Sequence, residues 1–404
     1  MRKLLAGTLA LVLLLGACSD GENSASGDGG DVVKIGTLHP LSGGLANEGQ
    51  EMRDAIRLAI EEVNENGGIE SLDGAQIELV EVDHEGVPEK GVSEVQRLAR
   101  EGVVGIIGAY SSGVTLPATQ EAERSQIPFV VDIATVNEIT ERGFQYTFRI
   151  QPPASTMAAN FLSYFETLNS TVDEPLTTAV LVHEDSVFGT SIADLIEKDA
   201  TANNVEILAN LPHSAAAADL SSTINKINSL KPDVVIATTY LRDGTLLIDG
   251  INESNYQPKA IIGVANGATS NAKFITEETS INQHLMDVNY SINPQSDLAN
   301  EVAAKFQEKF DKNLGPNAAY SYTAAKVLID AIERAGSTDR AEIQKALTET
   351  NMTEHILPQE AIVFDEKGQN ENAQAVLNQI FNGTSKVVYP DEYKNEELIY
   401  PTNQ

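Results

Sequence analysis

The stretch VVGIIGAYSSGVTLPATQ, Val103–Gln120, passes from a short apolar run through a glycine into paired hydroxyls and then into a segment of helical character. A β-branched run of this length bounded by turn residues reads as a buried strand. A loop that leaves such a strand and opens a helix is the unit from which open α/β sheets build their ligand crevices. Ser111 and Ser112, at the turn, are open to four duties: a nucleophile with its neighbour, a phosphate cradle, a helix cap, or the grip on a small molecule.

The same alternation extends in both directions. Upstream, VVKIGTL reads as a strand and Glu48 to Glu65 as a helix, with Met52, Ile56, Ala59, Ile60 and Val63 on one stripe and Gly67-Gly68 as its stop. IELVEV, a helix over Pro88 to Arg100, the helix after Ser112 and the run IPFVV continue the series. After the basic and aromatic segment YTFRIQPP the cycle restarts. A helix near Ser155 to Leu168, TAVLV, a helix from Phe188, VEIL, a helix from Asp219, DVVIATT, a helix from Asp243 and KAIIG follow one another. Strands alternating with helices predict parallel sheets with crossover helices, and two series of similar size predict two doubly wound α/β lobes, each with its own core. Beyond Asp287 the order changes. Helical stretches at Asp297 to Lys312, Ala318 to Ala335 and Asp339 to Glu349 come close together, then the strand-like runs AIVFD and AVLNQIF. Such material suits the completion of both lobes by a chain that crosses between them repeatedly.

At 404 residues the chain is long enough for two such cores, and 59 acidic against 27 basic residues leave a formal net charge of −32. This balance repels nucleic acid and anionic lipid surfaces and argues against them as partners. It reads as a solvated acidic surface, with attraction of cationic ligands as the sharper alternative. The first residues, MRKLLAGTLALVLLLGAC, carry two positive charges, an apolar run too short to span a bilayer, and small residues ending at Cys18. They read as a signal peptide over residues 1–17. Leu15-Gly16-Ala17-Cys18 resembles a bacterial lipobox, which implies cleavage before Cys18 and its lipidation. Cys18 is the single cysteine of the sequence, so an intramolecular disulfide is excluded. The following segment to Asp31 is polar and glycine-rich, a tether spanning roughly 20 Å.

The remaining chemistry narrows by elimination. The serines are not in a G-x-S-x-G elbow, and the six histidines are scattered, so spacing nominates no general base, although triads assemble from distant positions. No P-loop lysine motif, H-E-x-x-H or C-x-x-C occurs, so neither a cofactor nor a metal is expected. Position remains informative. Ser112 follows VVGIIG, and Thr135 follows IPFVVDIA with Asn137 and Glu138 opening the next helical turn. Helix starts at these loops aim unpaired N–H groups into the crevice, which suits a carboxylate; the alternative for each is an ordinary cap.

VVKIGTLHPLSGGLANEGQEM, LAIEEVNENGGI, IELVEVD, VVGIIGAYSSGVTLPATQ, IPFVV, EITERGFQYTFRI and AYSYTAAKVLIDAI resemble, in order and spacing, the bacterial substrate-binding proteins of branched-chain and hydrophobic amino acid ABC importers. The resemblance runs from about Val32 to about Asn382. It implies a type I periplasmic-binding-protein fold: two lobes joined by a three-strand hinge and closing over a ligand. Residues 32–151 with about 290–358 form lobe 1, residues 152–289 with about 359–395 form lobe 2, and 396–404 form a tail. By the same resemblance, Ser112 holds the ligand carboxylate, Thr135 holds carboxylate and ammonium, and the Ile133 carbonyl accepts from the ammonium. Phe188 and Tyr240 supply aromatic contacts from the other lobe.

One departure stands out. The family's amino acid binders place a carboxylate near the segment that reads GVANGA here, Gly263 to Ala268, where this sequence offers Ala265 and Asn266. An enclosed ammonium without a counter-charge costs several kcal/mol. Asp185 and Asp243, in loops expected to face the cleft, are the candidate replacements, and helix capping is their alternative role. The resulting expectation is a monomeric, lipid-anchored extracytoplasmic protein that captures a small solute and passes it to an ABC permease. The solute is a branched-chain or hydrophobic amino acid, or else an aromatic acid or short amide. A ligand-sensing module and a serine hydrolase are the rival classes, the latter requiring a histidine at Ser111 or Ser112.

Overall fold

The computed structural model describes residues 32–277 and 281–401; the segments read as a signal peptide and a tether, with Cys18 between them, and residues 402–404 lie outside the described residues. The first series forms β1 (Val33–His39), α1 (Ala46–Glu65), β2 (Ile77–Asp83), α2 (Pro88–Glu101), β3 (Gly105–Gly108), α3 (Ser112–Arg124), β4 (Phe129–Val131), α4 (Glu138–Glu141) and β5 (Thr147–Arg149). Its strands make one parallel sheet in the order β2-β1-β3-β4-β5. The periodicity of α1 acts as read: Met52, Ala55, Ile56, Ala59 and Ile60 are buried, while Val63 is half-buried.

The second series comprises α5 (Ala154–Thr171), β6 (Thr178–Glu184), α6 (Val187–Ala200), β7 (Glu206–His213), α7 (Ser221–Leu230), β8 (Val234–Thr238), α8 (Leu241–Asn252), β9 (Ala260–Val264), α9 (Ala272–Glu277) and β10 (Met286–Asn289). Its parallel part runs β10-β9-β8-β6-β7, the same winding as the first sheet. In both lobes the order therefore reverses beside the first strand of the series, and the crevice opens outside the carboxyl ends at that point.

The remaining helices, α10 (Asp297–Phe310), α11 (Pro316–Ala335) and α12 (Arg340–Thr348), return to the first lobe, with α11 packed on α1, β3 and β4. The run AIVFD forms a strand only at Ile362–Val363, which as β12 pairs with β11 (Asn351–Met352). The chain then enters the second sheet as β13 (Val376–Phe381) and β14 (Thr384–Tyr389), both antiparallel additions at its β10 edge. The sequence reading missed β14. Its signal was Asn382-Gly383, where both residues adopt positive φ, 47° and 75°, the geometry of a type I′ hairpin turn.

Three segments cross between the lobes side by side. Arg149 and Gly368–Asn370 exchange backbone hydrogen bonds (2.7 and 2.9 Å), and Asn293 donates to the Ile356 carbonyl at 2.8 Å. The first crossing is also tied directly to the site, because the Ala154 amide opening α5 donates to the Thr135 carbonyl at 2.7 Å.

Candidate ligand cavity

After β3 the chain turns through Tyr110, held at φ 68°, a conformation uncommon for a residue with a Cβ. Ser111 occupies the N-cap position of α3 but its side chain caps nothing. Instead the Ser111 hydroxyl faces the Tyr240 hydroxyl of the second lobe at 3.4 Å. Ser112 opens the helix, and its Oγ accepts from the Thr135 amide at 3.2 Å. The two loops singled out in the sequence are thus bonded to each other across the carboxyl ends of neighbouring strands. Among the described residues no histidine is hydrogen-bonded to either serine; the His84 ring is held by the Ala109 carbonyl at 3.0 Å.

The turn after β4 is fixed from beneath by buried groups. The Asp132 carboxylate accepts from the Ile133 amide at 2.9 Å and from Ser321 Oγ at 2.7 Å, and it lies 2.8 Å from His39 Nε2. The Thr37 hydroxyl meets the other ring nitrogen at 2.7 Å. Arg149, fully buried, donates to the Val136 and Ala134 carbonyls at 2.6 and 3.3 Å and to Gln369 of the third crossing at 2.6 Å. Burial pushes its guanidinium down to about 9, so it stays cationic at neutral pH. Thr135, between those two carbonyls, keeps a buried side-chain hydroxyl without a partner.

From the second lobe, the Glu184 carboxylate accepts from the Ser186 amide, the Ser186 hydroxyl and the Gly189 amide at 2.6 to 2.9 Å. This binds the first turn of α6 and seats Phe188. A side chain at Gly189 has no space, since a Cβ there would lie 2.3 Å from the Glu184 carbonyl oxygen. The Phe188 and Tyr240 rings pack with centroids 5.1 Å apart, and Tyr240 reaches Tyr110 of the first lobe at 5.8 Å. Thr239, before α8, has a second buried hydroxyl without a partner.

Together Tyr110, Ser112, Ile133, Thr135, Phe188 and Tyr240 line a narrow cavity between the lobes, about 330 Å³ with its open mouth counted, and Ala134, Thr239, Ala265, Gly267 and Tyr290 complete the wall. The structure therefore brings together the first-lobe and aromatic residues nominated from sequence. Asn266 lies just outside: its Oδ1 accepts from the Ala268 and Thr269 amides at 2.9 and 3.2 Å, which turns Ala265 and Gly267 to the cavity. Neither nominated acid lines it. Asp185 is exposed, because Glu184 rather than Asp185 points inward at the end of β6. Asp243 is buried and its Oδ2 pairs with His213 Nε2 at 2.9 Å. Tyr110 and Tyr290 escaped the sequence reading. For Tyr110 the signal was its place beside the serines; Tyr290 follows β10, a strand not foreseen.

Behind the Asn266 turn lies Asp287, whose carboxylate accepts from the Asn289 side chain at 2.8 Å and the Asn266 amide at 3.3 Å. Burial outweighs those bonds and pushes this carboxyl up to about 7. Between about pH 4 and 7 the folded chain keeps a proton that the unfolded chain has lost, so this group's contribution is full below about pH 4 and falls as pH rises. His84, pushed down to about 4 by burial, acts in the opposite sense: the folded chain refuses a proton that the unfolded chain takes up below about pH 6.5, so stability falls on acidification. Asp287→Asn is accordingly expected to gain on the native chain as pH rises from 5 to 8, read as a widening difference in urea midpoints. A constant difference across that range excludes the assignment.

Among the described residues, no helix is long and apolar enough to cross a membrane, and no group of three or more histidine, cysteine, aspartate or glutamate side chains is placed to hold a metal ion. A profile of the periplasmic binding protein family matches residues 32–383. Leu/Ile/Val-binding protein homolog 7 of Brucella abortus (strain 2308) is 28% identical over 404 residues, covering 97% of this chain and 98% of that relative. The branched-chain amino acid transporter substrate binding protein LivJ from Streptococcus pneumoniae, solved in complex with isoleucine, superposes with a TM-score of 0.78 at 21% identity over 89% of this chain and all of that one. A solute binding protein of an ABC transporter from R. palustris, in complex with benzoate, gives 0.75 at 20% identity over 88% and 95% of the two chains. These structural likenesses establish the two-lobed fold. With the profile running from β1 to the turn after β13, the protein belongs to the periplasmic binding protein family, whose members bind solutes and are not enzymes.

Proposed function

We propose that this protein is an extracytoplasmic lipoprotein, anchored through Cys18, that captures a small carboxylate-bearing solute between its lobes and delivers it to an ABC permease. The observation that carries this reading is the pair of buried, unpartnered hydroxyls, Thr135 and Thr239, one from each lobe, on the wall of a single cavity. Buried polar groups are normally paired, so both hydroxyls are free to bond a ligand that spans the lobes. The Thr135 end favours an anion, since the buried Arg149 guanidinium stands directly behind its turn. Closure then follows by population shift: a solute touching both lobes stabilises the closed form through contacts that the open form lacks.

Relatives named for leucine, isoleucine and valine binding make hydrophobic amino acids the first candidates. Benzoate-like acids are the second, favoured by Ala265 at the place where an acid was sought. A thermal-shift screen of the purified protein against amino acids, aromatic acids, short amides and nucleosides tests the reading. A binder at a hundredfold excess over its dissociation constant adds about 2.7 kcal/mol of stability. Ser112→Ala and Thr135→Val each remove a hydrogen bond to a charged ligand, worth about 1.5–3 kcal/mol, and are expected to weaken binding by about ten- to a hundredfold in calorimetric titrations. Unchanged affinity in both variants displaces the site.

A further inference from the structure

Resting on that reading, we infer that Glu48 supplies the negative charge that meets a positively charged group on the solute, so that the cavity selects zwitterions over plain carboxylates. Glu48 lies in the first turn of α1, where an acid ordinarily faces water and favours the helix dipole. Here the residue is only 2% exposed. It stands against the seam between the lobes: its carboxylate meets the Leu241 amide that opens α8 in the second lobe, and its charge is felt by Tyr110 and Tyr290, both on the cavity wall.

The other buried acids near the cavity are already committed. Asp132 serves Ile133, Ser321 and His39; Glu184 serves Ser186 and Gly189; Asp287 serves Asn289 and Asn266. Asp243 gives one oxygen to His213 and keeps the other buried without a partner. Neighbouring Glu51 is turned to the Gly315 amide and Lys312. Glu48 meets the backbone amides of its own residue and Leu241 and forms no ion pair among the described residues; burial, with the nearby Asp243 charge, pushes its carboxyl up to about 7. Glu48 of the first lobe and Asp243 of the second both act on Tyr110 across the seam, and of the two only Asp243 has a side-chain partner, His213. In a water-poor seam a solute cation beside Glu48 gains an attraction that no protein side chain supplies there. The cavity then has two electrical ends, Arg149 behind Thr135 for the carboxylate and Glu48 for the ammonium.

The test compares leucine with 4-methylpentanoate, its counterpart without the ammonium, together with phenylalanine, 3-phenylpropanoate and benzoate, by calorimetric titration of the native protein and Glu48→Gln at pH 8. The native protein is expected to prefer each amino acid over its deaminated counterpart by at least tenfold, and E48Q to reduce that ratio at least tenfold. Thermal denaturation confirms that E48Q folds, and Glu48→Asp, which keeps the charge, is expected to retain part of the preference. An equal preference in native protein and E48Q overturns the inference, as does native protein that binds the deaminated acids as tightly as the amino acids. If only benzoate binds, the inference falls while the carboxylate site stands; if no carboxylate binds, both fall.

Discussion

Asp132→Ala is expected to destabilise the protein by about 4 kcal/mol, because it strands the Ile133 amide, the Ser321 hydroxyl and the His39 ring without a partner inside the first lobe. All of these groups are buried, so water cannot replace the lost acceptor. The consequence reaches the cavity, since Ile133 is on its wall and the same turn carries Thr135. Urea denaturation of the native and variant chains reads the stability, and titration with the solute identified by the thermal screen reads the affinity. Asp132→Asn separates the effects: it keeps one acceptor for the Ile133 amide but loses the charge, and an intermediate cost is expected. A cost below about 1 kcal/mol for Asp132→Ala would mean that the network relaxes or hydrates and does not hold the turn.

Tyr240→Ala is expected to weaken solute binding at least about a hundredfold, near 2.7 kcal/mol. Tyr240 is the one side chain that packs against Phe188 in its own lobe, touches Tyr110 in the other and sets its hydroxyl against Ser111. Its removal takes away cavity wall and closure contacts together. Tyr240→Phe retains the ring stacking and loses the hydroxyl contact, which at 3.4 Å is a long one, so less than a tenfold loss is expected. The burial of Tyr240 that raises its hydroxyl far above the ordinary tyrosine range also keeps the group neutral at every working pH. Small-angle scattering with and without ligand completes the test. If Tyr240→Ala closes on ligand as the native protein does, with unchanged affinity, the ring is packing and not grip.

The sequence made much of this legible at the level of elements. Alternating β-branched runs and helical stripes place the strands and helices of both lobes, because buried parallel strands and core-facing helices each leave a period in the chain. The loops carrying Ser112 and Thr135 were likewise accessible, since strand followed by hydroxyl followed by helix is itself a local pattern. Departures arose where pairing is non-local. β10 sits between β9 and β13, and its partners decide that it is a strand. AIVFD shrank to Ile362–Val363 because, among the described residues, the two-residue β11 is its sole partner strand. For the acids, the reading chose Asp185 and Asp243 from loop position, and the phase of β6 turned Glu184 inward in place of Asp185.

The amino-acid order alone determined the twin α/β architecture, the acidic surface and the two hydroxyl-bearing turns, because each is written in neighbours a few residues apart. Only the tertiary structure decided which groups share the cavity and which charge stands beside it. Ser112 meets Thr135 through adjacent strands, Tyr240 meets Tyr110 through the hinge, and Glu48 is a buried acid set beside the Leu241 amide of the second lobe. Desolvation and convergence depend on what the fold lays against a residue, and no local pattern encodes that.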